Sequence, residues 1–158
     1  VATVGPTLQV ELISRNTDTT PYTVGGALHT YFQVGDSSRV AIRGLEGTEY
    51  IDKVDGGARK RQDGPVTFAG EVDRIYLDTT ADCLIDDPAL GRTVRVGKAN
   101  SRTTVVWNPW IEKARAMPDA EDDDYRDFVC VETVNAQDDV FELQPGDTHT
   151  LSLTIGLQ

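Results

Sequence analysis

The sequence has few positive charges and few cysteines. Lys and Arg total 15 of the 158 residues, against 26 Asp and Glu, which gives a formal net charge of −11. A nucleic-acid phosphate backbone and an anionic membrane surface carry the same sign of charge, so neither is expected as a partner. Two cysteines in a chain of this length do not make a disulfide framework, which favours a cytoplasmic protein. Cys130 lies within an apolar run and is expected to be a buried free thiol.

Long hydrophobic runs are also missing. No apolar stretch approaches the roughly 20 residues that a membrane-spanning helix needs. The sequence shows no internal repeat, no low-complexity segment and no dividing linker. We therefore expect a single domain over residues 1–158, and a hydrophobic content of 39% is enough to build its core.

Short alternating runs predict an almost entirely β protein. Apolar and polar residues alternate from Leu8 to Leu12, which is the period of a half-buried strand. Further strands are predicted over residues 39–43, 71–77, 92–96, 103–107, 128–134 and 148–155. Clusters of Gly, Pro, Asn and Asp separate these runs, so the expected fold class is an all-β antiparallel sandwich. Helix is predicted only near residues 111–116 and 123–127.

One histidine and one glutamate are candidate acid/base groups. His29 lies in an apolar, β-favouring run, and Glu132 lies in the run that begins at Phe128. An imidazole and a carboxylate on separate strands can exchange protons near neutral pH. The residues alone leave other interpretations open. A lone strand histidine is more often a satisfied core residue, and Glu132 alternates with its neighbours as a solvent-facing position would.

Six short motifs occur in one order along the chain. They are Ala27-Leu-His-Thr-Tyr-Phe32, Gly44-Leu-Glu-Gly47, Tyr50-Ile-Asp-Lys53, Glu71-Val-Asp-Arg74, Val105-Val-Trp-Asn-Pro-Trp110 and Val129-Cys-Val-Glu132. Together they closely resemble the hexose-6-phosphate mutarotases, also called glucose-6-phosphate 1-epimerases, of the galactose mutarotase-like superfamily. The resemblance extends from about Leu8 to Ile155 and matches only the second half of that family. It implies the C-terminal part of a galactose mutarotase-like β-sandwich.

The resemblance also implies a role for each matching residue. His29 resembles the general acid that protonates the sugar ring oxygen, and Glu132 resembles the general base that deprotonates the anomeric hydroxyl. Asp73 resembles a carboxylate that binds sugar hydroxyls, and the adjacent Arg74 is a further substrate-binding candidate. These two residues also fit an exposed charge pair, which usually contributes little stability. Ring opening, rotation about C1–C2 and reclosure would interconvert anomers without a metal or organic cofactor.

The expected function is therefore that of an isomerase acting on an aldohexose 6-phosphate, with a sugar phosphate as its partner. Two alternatives stay open: a non-catalytic carbohydrate-binding module, and an aldose 1-epimerase for unphosphorylated sugars. The family's first half, with another active-site histidine and phosphate-binding arginines, has no counterpart in this sequence. We therefore expect this chain alone to be inactive and to self-associate through exposed strand edges.

The remaining chemical candidates have simpler interpretations. The acidic run over residues 119–124 lacks the alternating ligands and central glycine of an EF-hand and is expected to be a solvated loop. The basic cluster over residues 59–61 fits an approach to phosphate or an exposed loop equally well. His149 has no chemical partner nearby in sequence. Trp107 and Trp110 fit stacking on a sugar face, or more readily the anchoring of a turn to the core.

Overall fold

The structure is a computed structural model that describes residues 1–118 and 121–158. Its strands are β1 Ala2–Val4, β2 Leu8–Arg15, β3 Tyr22–Val24, β4 Gly26–Leu28, β5 Tyr31–Gln33, β6 Ala41–Arg43, β7 Glu49–Asp52, β8 Ala58–Arg61, β9 Val66–Thr67, β10 Val72–Tyr76, β11 Cys83–Asp87, β12 Arg92–Ala99, β13 Thr103–Asn108, β14 Phe128–Asn135, β15 Phe141–Leu143 and β16 Thr148–Leu157. Helix α1 spans Trp110–Ala116, and single 3-10 turns cover Ser37–Arg39 and Asp124–Arg126.

Two antiparallel sheets build the sandwich. The first sheet has the strand order β1-β2-β16-β12-β11-β6-β9. The second sheet has the order β4-β14-β13-β10-β7-β8, with β5 also paired to β14, and a separate pair joins β15 to β3. Apolar side chains from both sheets form one buried cluster, including Ile85 and Leu153 from the first and Val106 and Val131 from the second. Burying one face of each sheet in this way is what stabilises a sandwich. The predicted fold class is confirmed.

The predicted strands form, with changes at their ends. The strand predicted over residues 39–43 begins only at Ala41, because the carboxylate of Asp36 accepts a hydrogen bond from the backbone of Ser38 and starts a 3-10 turn. The helix predicted near residues 111–116 is α1, whereas residues 124–126 form a single 3-10 turn. Two interpretations were open for the basic cluster of residues 59–61, and the exposed loop is wrong, since these residues lie in edge strand β8. Of the predicted acidic loop, Asp119 and Ala120 lie outside the described residues.

Both cysteines are free and buried. Cys83 lies on β11 of the first sheet, and Cys130 lies on β14 of the second. Burial raises the pKa of the Cys83 thiol to about 12, and burial also raises the pKa of Cys130 strongly. The buried thiol predicted for Cys130 is therefore confirmed. Within the described residues, the structure shows no helix long and apolar enough to cross a membrane.

Strand alternation decides which side chains of the second sheet leave the core. Val106 and Val131 belong to the buried cluster between the sheets. Their neighbours Val105 and Glu132 lie on the opposite face, because successive strand residues point to opposite sides. We call this surface the outer face of the second sheet, and it carries the candidate site.

Candidate active site

The pairing of β14 with two short strands places His29 beside Glu132. Strand β4 pairs with one end of β14 and β5 with the other, and residues 29 and 30 form the break between them. Thr133 lies opposite Leu28, and Cys130 lies opposite Tyr31. The register is the same on both sides of the break, so Glu132 lies opposite His29. The sequence placed His29 within a strand, whereas the structure places it in the break.

The imidazole and the carboxylate are in direct contact. His29 Nε2 lies 3.2 Å from Glu132 Oε1. The His29 side chain is 46% exposed and that of Glu132 only 8%, so solvent reaches the acid candidate more readily than the base candidate. Burial raises the pKa of Glu132 to about 7; the negative charge of Asp73 raises it too, and the positive charge of Lys53 lowers it. A carboxyl group with this pKa can accept and return a proton near neutral pH.

These residues line a cleft of about 290 Å³ on the outer face of the second sheet. Its lining residues are His29, Lys53, Asp73, Ile75, Val105, Trp107 and Glu132. Cross-strand register explains the grouping: Val105 lies opposite both Glu132 and Ile75, and Asp73 lies opposite Trp107. The structure thus brings together three of the residues predicted from sequence: His29, Asp73 and Glu132.

The structure does not bring Arg74 to this cleft. Arg74 follows Asp73 on β10 and therefore points to the opposite side of the second sheet. Its guanidinium donates a hydrogen bond of 3.1 Å to Gln62 Oε1 and lies 4.9 Å from the centre of the Tyr50 ring. These contacts give Arg74 a packing role on the core side of the sheet.

Lys53 is a cleft residue to which sequence reasoning gave no role. Its Nζ lies 3.1 Å from Asp73 Oδ2, and its backbone N–H donates to the carbonyl of Asp73 at 2.9 Å. Lys113 of α1 lies farther from the same oxygen, at 4.0 Å, and contacts Glu71 Oε1 at 2.7 Å. The sequence signal for Lys53 was the motif Tyr50-Ile-Asp-Lys53, but its placement depends on the pairing of β7 with β10.

An aromatic wall lies beside His29. The Tyr31 ring stacks on the imidazole with centres 4.9 Å apart, and Trp107 meets the imidazole edge-on at 5.9 Å. The Phe128 ring lies 5.1 Å from the ring centre of Tyr31 and 5.8 Å from that of Trp107. Trp107 therefore presents an amphipathic ring to the cleft, as a sugar-stacking residue would. Trp110 instead packs against the core and takes a positive φ of 56°.

The other sequence candidates lie away from this cleft. His149 stacks on Phe141 with ring centres 3.7 Å apart, and its Nε2 lies 2.9 Å from Asn135 Oδ1. In the basic cluster, Arg59 pairs with Glu49 at 2.6 Å, and Lys60 contacts two Asp carboxylates at 2.8 Å each. In the part of the chain that the structure describes, no group of three or more His, Cys, Asp or Glu residues is arranged to hold a metal ion.

The sequence and the fold of this chain both match one class of protein, the aldose epimerases and mutarotases. The chain belongs to the aldose 1-epimerase family, whose family model matches residues 2–156. A relative from Cenchrus ciliaris is 37% identical over 149 residues, and one from Escherichia coli K12 is 40% identical over 136 residues. Both are named "Putative glucose-6-phosphate 1-epimerase", and they cover 91% and 85% of this chain.

Solved structures give the same family relationship. The crystal structure of a "putative mutarotase" from Salmonella typhimurium matches 99% of this chain with a TM-score of 0.90 and 36% identity. That match covers 51% of the Salmonella chain, and the alignments to the Cenchrus and Escherichia relatives each cover 45% of their length. The present chain therefore spans about half the length of the relatives that it matches.

Proposed function

We propose that this chain supplies the acid and the base of an aldohexose-6-phosphate 1-epimerase, which interconverts the α and β anomers of its substrate. The observation that carries the proposal is the 3.2 Å contact between His29 Nε2 and Glu132 Oε1 in a surface cleft. The anomeric hydroxyl oxygen and the ring oxygen are bonded to the same carbon. An acid and a base that serve these two oxygens must therefore be neighbours.

The proposed reaction transfers two protons. Glu132 removes the proton of the anomeric hydroxyl while His29 protonates the ring oxygen, so the ring C1–O bond breaks and an open-chain aldehyde forms. Rotation about C1–C2 turns the other face of the aldehyde toward the hydroxyl, and the reverse transfers close the ring as the other anomer. Each transfer of this kind contributes roughly 10²–10⁴-fold in rate. Asp73 accepts hydrogen bonds from sugar hydroxyls, and Trp107 stacks on the sugar face.

The phosphate of the substrate is a separate part of the proposal. It is supported by the names of the Cenchrus and Escherichia relatives, which both specify glucose 6-phosphate. The rival substrate is an unphosphorylated aldose, and the rival function is sugar binding without turnover. We also propose a cytoplasmic location, which the two free buried thiols support because disulfides are rare in that compartment.

The test is an anomer-exchange measurement by NMR on glucose 6-phosphate and on galactose. It uses the joined protein, defined as this chain fused to the part of the Escherichia coli relative that it does not match. We expect exchange of glucose 6-phosphate in preference to galactose, and a loss of roughly 10²–10⁴-fold in His29→Ala. His149→Ala is the matched control, because that histidine lies outside the cleft. Near-normal exchange in His29→Ala would remove the imidazole from the mechanism, and sugar binding without exchange in the unsubstituted joined protein would favour the binding module.

A further inference from the structure

The carboxylate of Asp73 lies among charged groups from three different elements. Lys53 approaches it from the end of β7 at 3.1 Å, and Lys113 approaches it from α1 at 4.0 Å. Glu132 of β14 lines the same cleft. We propose that Lys53 is a positioning residue of this site, whose ammonium group holds Asp73 and offsets the negative charge that Asp73 presents to Glu132. The proposal rests on the proposed function, because it assigns how the base of that reaction is kept competent.

A backbone hydrogen bond and an ion pair both join Lys53 to Asp73. Strands β7 and β10 pair antiparallel, with Ile51 opposite Ile75, and the same register continued by two residues puts Lys53 opposite Asp73. The backbone N–H of Lys53 donates to the carbonyl of Asp73 at 2.9 Å, which extends the ladder to this position. The ammonium group then reaches the carboxylate of the same residue. An amine anchored by its own backbone needs little rearrangement to keep this ion pair.

The charges around Glu132 explain why the positive charge of Lys53 matters for its ionisation. Among the described residues, the charged or titratable groups that face this carboxyl are His29 from the break between β4 and β5, Asp73 from β10 and Lys53 from the end of β7. Strand β13 contributes the uncharged Val105 and Trp107. Lys113 of α1 does not line the cleft and is shared with Glu71. In the part of the chain that the structure describes, Lys53 is therefore the lysine that lines the cleft.

Removal of Lys53 would take away the nearer of the two ammonium groups beside Asp73, whose carboxylate shares the cleft with Glu132. Neighbouring carboxylates disfavour each other's ionisation, and a nearby cation relieves this. Burial and Asp73 both raise the pKa of Glu132, whereas Lys53 lowers it. Without Lys53 the carboxyl stays protonated to a higher pH, so less of the base is available near neutrality.

The experiment is a ¹³C NMR titration of the Glu132 carboxyl in the 158-residue chain, assigned by comparison with Glu132→Gln. Lys53→Met is expected to raise the titration midpoint by about one pH unit, the scale on which a nearby opposite charge acts. Lys53→Arg keeps the positive charge and is expected to retain the midpoint of the unsubstituted chain. Lys113→Met removes a lysine charge that lies 4.0 Å from the Asp73 carboxylate and is expected to shift the Glu132 midpoint less. Lys53→Gln repeats the charge removal if the Met variant does not fold.

An unchanged midpoint in Lys53→Met, or an equal shift in Lys113→Met, would overturn the role of Lys53. The matching kinetic test uses the joined protein. There the kcat/KM of Lys53→Met is expected to be roughly tenfold below that of the unsubstituted joined protein near pH 6.5, and the two values are expected to be close at pH 9. A shifted midpoint in the 158-residue chain, combined with a joined protein that exchanges no anomers, would contradict the proposed function but leave the electrostatic role of Lys53 in place. A loss of activity that does not change with pH would instead indicate a purely structural contribution.

Discussion

In the proposed mechanism, Glu132 has to ionise in a position that opposes ionisation. Its side chain is nearly enclosed, and another carboxylate shares its cleft. These two causes bring its pKa to about 7, where a base and its conjugate acid are both populated. A residue tuned in this way can remove a proton in one step and return it in the next, which a reversible ring opening requires.

Replacement of this carboxyl by an amide separates catalysis from binding. Glu132→Gln keeps the shape of the side chain but cannot accept the proton, so kcat in the joined protein should fall by roughly 10²–10⁴-fold. Calorimetry should show that sugar phosphate still binds. Glu142→Gln on β15 is the control for a loss of one negative charge elsewhere. Weakened binding with normal turnover at saturating substrate would indicate that Glu132 only positions the sugar.

The same substitution should change how stability depends on pH. The folded pKa of Glu132 is raised from 4.5 to about 7, so between these values the folded chain binds more protons than the unfolded chain. Stability from this group is therefore present at low pH and is lost as pH rises toward 7. Urea unfolding should show that Glu132→Gln gains stability relative to the unsubstituted chain between pH 5 and pH 8. A difference that stays constant with pH would contradict the raised pKa.

At the scale of elements, the break between β4 and β5 is what brings His29 beside Glu132. Both strands pair with β14 in the same register. The interruption at residues 29 and 30 therefore puts His29 beside Glu132 without changing the pairing of β4 or β5. The alternating runs of the sequence predicted most of the long strands. They predicted a strand around His29 but not its division into β4 and β5, because these three-residue strands owe their pairing to β14 and not to their own periodicity.

Pairing also explains which site residues the sequence could predict. The contact between His29 and Glu132 was expected from the family motifs, not from physics alone. The sequence could have predicted that Arg74 and Asp73 point to different faces, since adjacent residues on a strand face opposite sides. Lys53 could not be placed in the same way, because its position depends on a partner strand about 20 residues farther along the chain.

The turn after β13 should be sensitive to loss of one buried amide. Asn108 donates hydrogen bonds to the carbonyls of Tyr125 and Phe128, and its Oδ1 accepts one from the backbone of Trp110. Asn108→Ala leaves these backbone groups unpaired in a buried site and should lower the free energy of unfolding by about 1–3 kcal/mol or more. His29→Ala, at a half-exposed side chain, should change it little. Equal urea midpoints for the two variants would contradict this anchoring role.

At the scale of the whole molecule, both sheets end in edge strands within the residues that the structure describes. The first sheet ends at β1 on one side and β9 on the other, and Val4 of β1 is 83% exposed. Exposed edge strands are templates for further strands. Either a second copy of the chain or a longer polypeptide can cover these edges.

We therefore predict that the isolated 158-residue chain self-associates and has little mutarotase activity. The expected loss of activity follows from the family resemblance, in which another histidine and phosphate-binding arginines belong to the half that this chain does not match. Sedimentation should show species larger than a monomer, and NMR should show anomer exchange far slower than in the joined protein. A monomeric chain as active as the joined protein would refute both parts of the prediction.

The two buried thiols can report on the opening of the folded sandwich, because their reaction with a reagent requires exposure. Thiol reagents attack the thiolate, and at pH 8 neither Cys83 nor Cys130 is expected to supply it while the chain is folded, because burial raises both pKa values. Alkylation must then wait for local or global unfolding. One thiol lies in each sheet. The relative modification rates of the two cysteines, followed by mass spectrometry, would therefore reveal whether the sandwich comes apart sheet by sheet or all at once.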